Sequence, residues 1–381
     1  MPTAFINGRV LVDDGFATGL AVLVDGPRIA AVVPQDEARV DDWEIVDLEG
    51  SYLLPGFIDC QVNGGGGVLF NQSPTVDAVR RIGAAHRRFG TTGFLPTLIS
   101  DDRSVMRAAI AAVDDAIAAG VPGVLGVHLE GPYLAPDRKG AHDSTKFLKP
   151  GAQDVELVGS PHQGVTLLTL APERVGAAEL DALIASGVIV AAGHTAGDYE
   201  TTRRALLAGV RGVTHLFNAM TPMTSREPGV VGAALEHPDS WCGLIVDGHH
   251  VHWATLRVAI AAKPRGRMFL VTDAMPPVGS DQPWFELDGR RIELRDGALL
   301  NPDGVLAGSA LDMLTAVRNT VRMVGLPLAE AARMASTYPA RFLGLGATHG
   351  RVAAGYAADF VVMDDEFTIS ATWIAGERNE Q

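Results

Sequence analysis

Eight apolar runs, mostly separated by segments of helical pattern, constrain this chain more than any other feature of its sequence. They are FIDCQV (57–62), GFLPTLI (93–99), VLGVHLE (124–130), VTLLTLA (165–171), VIVAAGHT (188–195), VTHLFNAM (213–220), CGLIVDGHH (242–250) and MFLVTDAM (268–275). Between them fall VDAVRRIGAAHRRF, RSVMRAAIAAVDDAIAA, AAELDALIA, DYETTRRALLAG and ATLRVAIAAK. Such runs suit strands buried on both faces, and their alternation with helices marks a parallel sheet. Eight units predict an α/β fold, a (β/α)8 TIM-like barrel over residues 54–348. Within it, WFELDGRRIELRDGALLNPDGVLAG reads as a β-hairpin insertion.

The two ends of the chain have a different pattern. Short strand-like pieces punctuated by Gly and Asp-Gly steps fill TAFINGRVLV, GLAVLVDGPRIAAVVP and WEIVDLEGSYLL, and again GRVAAGYAADFVVMDDEFTISATWIAGE. They predict one small β-sandwich domain built from both termini, residues 1–53 and 349–381.

Composition narrows the partners. The formal net charge of -14 argues against nucleic acid and anionic membrane surfaces, which both need a broad basic face. It leaves room for a small anionic substrate held by a few local basic groups. Two cysteines, Cys60 and Cys242, cannot make a disulfide scaffold and read as small core residues. The opening MPTAFINGRVLVDDG has no basic run before a long apolar core, and no stretch reaches the roughly 18 apolar residues of a membrane span. The expected location is the cytoplasm.

In such a barrel the active site lies at the C-terminal ends of the strands. Polar residues collect late in the apolar runs: Asp59 and Gln61 in the first, Glu130 in the third, His194 in the fifth, His215 in the sixth and Asp273 in the eighth. Glu130, His194 and His215 have the make-up of a catalytic zinc site, two imidazoles and a carboxylate with a position left open. The competing reading is that each His bonds a backbone carbonyl at a strand end. Asp273 is a candidate general acid/base or a turn aspartate. The segment GPYLAPDRKGAHDSTKFLKP reads as a lid or a solvated loop, and His249, His250 and His252 as ligand contacts or a polar loop. The GGGG at 64–67 lacks the Lys-Ser/Thr of a P-loop and reads as a tight loop after the first strand.

PGFIDCQVNG (55–64) resembles the first-strand signature of the amidohydrolase superfamily, and GRVAAGYAADFVVMD (350–364) resembles its closing segment. HLEGPYL (128–134), GAH (140–142), AGHTA (192–196), THLFNAM (214–220), DGHH (247–250), TDAM (272–275) and LAGSALDM (306–313) are similar to the N-acetylglucosamine-6-phosphate deacetylases. The resemblance runs over nearly the whole chain. It implies hydrolysis of the acetamide of N-acetyl-D-glucosamine 6-phosphate, with N-acetylgalactosamine 6-phosphate as the alternative. It implies that Glu130, His194 and His215 hold one divalent metal per subunit, zinc first and ferrous iron second, and that Asp273 activates the attacking water. His142 would polarise the acetyl carbonyl, Asn218 and the Ala219 backbone would contact the sugar, and Leu306 would lie near the acetyl group. Arg226 and His250 would hold the phosphate, one of them from the partner subunit of a homodimer. The superfamily's first-strand HxH is replaced here by Gln61 and Asn63; amides are poor ligands for zinc or iron, so a single metal is expected.

Overall fold

The computed structural model describes residues 2–159 and 163–379, so the outermost ends of the terminal segments lie outside the described residues. All eight apolar runs contribute strands: β1 (Phe57–Val62), β2 (Thr91–Ile99), β3 (Gly126–Glu130), β4 (Val165–Leu170), β5 (Ile189–Ala192), β6 (Gly212–Val213), β7 (Trp241–Leu244) and β8 (Met268–Leu270). They pair in sequence order in one sheet, and every pairing is parallel. A parallel bridge between Val62 and Ala274 joins β1 to the segment after β8, nearly closing the barrel. Every residue of β1, β2 and β3 is buried, as expected when helices cover one face and packed side chains the other.

Several helices start where a side chain takes up a free N–H group. Thr75 accepts from Ala78 N ahead of the helix Val76–Arg87, and Asp198 accepts from Thr201 N ahead of Tyr199–Leu207. Their apolar stripes join the strands in one large core.

The later strands are shorter than the runs that contain them. β6 keeps two residues of an eight-residue run because the chain turns over the barrel mouth at His215, whose φ is 30°, and again at Phe217 and Ala219.

Both termini supply a separate pair of sheets. Thr3–Ile6, Leu20–Asp25, Arg28–Pro34 and Glu44–Asp47 form one of four strands. In the other, Phe360–Met363 pairs antiparallel with Tyr52–Pro55, so strands from the two ends of the chain share a six-stranded sheet. Phe5 packs edge-on against Phe360 and Trp373, with ring centroids 5.2 and 4.9 Å away.

The insertion is larger than a hairpin. Trp284–Leu287, Arg290–Arg295 and Ala298–Leu300 form a three-stranded antiparallel meander. Asp288-Gly289 and Asp296-Gly297 make its turns, all four residues at positive φ, the backbone of type I′ turns. Phe285, Leu287, Ile292 and Leu299 pack with Leu69, Ile99 and Met275, so the meander sits over the barrel mouth. Among the described residues no helix is long and apolar enough to cross a membrane.

Candidate metal centre and active site

Glu130 is the last residue of β3, while His194 and His215 each lie two residues beyond the ends of β5 and β6. The barrel brings all three together. Glu130 Oε1 lies 3.2 Å from His194 Nε2 and 2.9 Å from His215 Nε2, and the two Nε2 atoms are 3.1 Å apart. All three residues are buried, and among the described residues they form the one group with metal-ligand make-up.

The donor set fits a cation. His194 Nδ1 faces the Arg138 carbonyl at 2.8 Å, and a carbonyl can only accept, so this nitrogen carries the proton. With the proton there, the tautomer that has a free Nε2 points its lone pair at Glu130 and His215. A lone pair and a carboxylate converging on one point repel one another unless positive charge sits between them. The edge of a tetrahedron with bonds near 2.0 Å is about 3.3 Å, close to the spacing observed. His215 Nδ1 is buried and, among the described residues, has no hydrogen-bond partner. Burial alone would raise the pKa of Glu130; positive charge on the side of His194 and His215, where a cation would sit, holds it well below the usual range.

His142 reaches the same spot from the long loop after β3. Its Nε2 lies 3.9 Å from Glu130 Oε2. The Ser100 backbone N–H donates to His142 Nδ1 at 3.2 Å, so the proton of the neutral ring is on Nε2. Burial, then the neighbouring His194, push the pKa of His142 well down and keep the ring neutral. It therefore presents one N–H to the site.

Asp273 sits opposite, three residues past β8, at φ 53°. Burial, then the facing Glu130, push its carboxyl pKa up. Beneath it, Thr272 donates to buried Asp59, whose own carboxyl is pushed up to about 7 by burial.

A cavity of about 160 Å³ opens above these groups. Asn218, Ala219, His250 and Leu306 line it along with the three clustered residues, His142 and Asp273. His250 Nδ1 pairs with Asp247 Oδ2 at 2.6 Å, which leaves Nε2 as the ring nitrogen not engaged by that carboxylate. Arg226 is not among the lining residues; it lies exposed in the loop before the helix Gly229–Glu236. A larger cavity of about 290 Å³, among Arg265, Arg333, Arg341 and Arg351, has no such cluster. Of the other sequence candidates, the 64–67 glycines form a small hairpin, Gly64–Gly65 pairing with Val68–Leu69, and His252 caps the helix Trp253–Ala262. Reading the sequence missed Ser100 and Asp247. Asp247 had a signal, since it opens DGHH; Ser100 had none.

A model of the amidohydrolase family matches residues 52–378. The chain belongs to that family. The N-acetylgalactosamine-6-phosphate deacetylase of Shewanella sp. (strain ANA-3) is 44% identical over 330 residues, covering 87% of this chain and 84% of that protein. The N-acetylglucosamine-6-phosphate deacetylase of Haemophilus influenzae is 32% identical over 384 residues, covering 100% of both. The crystal structure of N-acetylglucosamine-6-phosphate deacetylase from Pasteurella multocida superposes with a TM-score of 0.96 at 32% identity, covering 100% of both chains. A mutant of the Mycobacterium smegmatis enzyme in complex with N-acetyl-D-glucosamine-6-phosphate gives 0.89 at 31%, covering 99% of this chain and 98% of that one. Amidohydrolases typically bind a divalent metal, and the Glu130, His194 and His215 cluster offers this member a place for one.

Proposed function

We propose that the protein hydrolyses the acetamide of N-acetyl-D-glucosamine 6-phosphate to glucosamine 6-phosphate and acetate, in amino-sugar catabolism and the recycling of cell-wall precursors. The observation that carries this reading is the buried Glu130–His194–His215 cluster facing Asp273 across one cavity. The names of the relatives support the same chemistry on a phosphorylated N-acetyl amino sugar.

Glu130, His194 and His215 hold one divalent metal, zinc first and ferrous iron second, since both accept two imidazoles and a carboxylate. When bound, the metal supplies Lewis acidity, which makes water acidic enough to attack near neutral pH and draws charge from the acetyl oxygen. Asp273 takes a proton from the attacking water and returns it to the departing amine. His142 donates its Nε2–H to the acetyl oxygen as negative charge builds there. Asn218 and the Ala219 backbone orient the sugar, and Leu306 closes the acetyl end. His250 binds the phosphate from within the chain. Arg226, exposed and not among the residues lining its own cavity, reaches the phosphate in a neighbouring copy, which makes the active unit a homodimer. Anchoring the phosphate turns remote binding energy into orientation at the acetamide.

A second reading, the galactosamine epimer, is favoured by the higher identity to the Shewanella protein. Acetate release from both phosphosugars, before and after chelation and with metal restored, tests the two together. Metal-dependent turnover of the gluco epimer with the higher kcat/KM supports the first reading. A preference for the galacto epimer transfers the substrate, and turnover of neither sinks the deacetylase reading.

A further inference from the structure

The amides that stand where the superfamily has first-strand histidines point their nitrogens at one oxygen. Asn63 Nδ2 lies 2.6 Å from Asp273 Oδ1, and Gln61 Nε2 lies 3.0 Å from the same atom. Gln61 Nε2 also donates to Glu130 Oε1 at 3.0 Å. An amide group between two carboxylate oxygens must present its nitrogen, because its oxygen would repel both. Both side chains are buried, Asn63 completely. The Asp273 main chain is held as well, its N–H donating to Gln61 O at 3.0 Å and its carbonyl accepting from Ser309 N at 2.9 Å. Among the described residues no group bonds to Oδ2, which is left free toward the cavity.

We infer that Gln61 and Asn63 are positioning residues of the hydrolysis: they hold Asp273 by Oδ1 and leave Oδ2 as the oxygen that takes and returns the proton. The inference rests on the deacetylase reading. The water oxygen forms the new C–O bond, the C–N bond breaks with its electron pair on nitrogen, and Oδ2 carries the proton from one to the other. Gln61 has a second duty. It bridges Glu130 and Asp273, putting a donor between two carboxylates that repel each other, and so does with hydrogen bonds part of what a second cation would do with charge. Neither amide touches the substrate; both act through Asp273.

Asn63→Leu keeps the length and branching of its side chain, Gln61→Met keeps the length, and both remove the N–H groups. Both are compared with the parent for kcat, KM, bound metal per chain and melting temperature. In each, kcat is expected to fall about tenfold or more, from the loss of a hydrogen bond to a charged group, with KM and metal content unchanged. The double variant loses less than the product of the two, because both donors serve one oxygen. Asn63→His, which restores an N–H, recovers part of kcat at unchanged metal content. Parental kcat in Asn63→Leu overturns the inference. So does a loss of kcat matched by loss of metal or a rise in KM, since the amides would then merely build the site. If the parent itself turns over neither phosphosugar, the functional reading fails first and takes the inference with it, before any variant is compared.

Discussion

His194, His215 and Asp273 all sit in the left-handed backbone region, at φ 47°, 30° and 53°. An L-residue there costs on the order of 1 kcal/mol or more and persists only where the surroundings impose it. Three such residues at one barrel mouth mark where the fold bends its backbone to aim side chains. Under the proposed chemistry, Asp273→Asn keeps the shape and removes the base, so kcat should fall by about 10²–10⁴ while metal and phosphosugar still bind. Steady-state acetate release with metal analysis checks this, and an Asn variant with near-parental kcat rules the role out. His142→Leu should cost about 10² or more in kcat, the usual loss for one donor to a developing oxyanion, again with the metal retained. Loss of metal in that variant would make His142 a ligand instead. Glu130, His194, His215 and Asp273 were legible because a polar residue finishing an apolar run needs a partner. Ser100, which sets the tautomer of His142, was not legible. It is an ordinary serine after β2 until the loop after β3 folds back over it.

The helix Val76–Arg87 does more than cover β1. Its His86 is fully buried and pairs through Nε2 with the Gly64 carbonyl at 2.9 Å, bracing the glycine hairpin that follows β1. Burial, partly opposed by that bond, pushes the His86 pKa down from 6.5 to about 4. For a base with a depressed folded pKa, the unfolded chain binds more protons between these values. Stability is therefore full above pH 6.5 and is lost as pH falls toward 4, by about 3 kcal/mol at most. His86→Gln keeps an N–H for Gly64 and cannot charge, so its urea-unfolding free energy should fall less steeply over that pH window. Identical acid slopes in parent and variant would show that His86 does not carry the effect. The hairpin itself was read as a tight loop, and the insertion over the mouth as a hairpin rather than three strands. Each Asp-Gly pair was visible; which of them turned the chain back against Met275 and Ile99 depended on core contacts that no local pattern encodes.

At the scale of the molecule, Arg226 is exposed and is not among the residues lining the cavity that His250 lines. If the phosphate site is completed between two copies, Arg226→Ala and His250→Ala should each be nearly inactive on the phosphosugar. Mixing them after subunit exchange should then restore activity, because one site of each mixed dimer is intact. Two inactive variants that stay inactive when mixed, or a parent that remains monomeric in light scattering, would remove the shared site from the mechanism.

The barrel was legible in the sequence because continuous apolar runs alternating with helical patterns have few other ways to bury both faces of a sheet. The identity of the clustered side chains followed from their place at the ends of those runs. What the tertiary structure alone decided is which atoms meet. The turn of Gln61 and Asn63 toward one oxygen of Asp273, the single proton left on His142 and the left-handed backbone at three site residues arise from groups far apart in the chain. Their distances are set by the closing of the barrel, and hydrogen bonds of this kind have no period in a sequence.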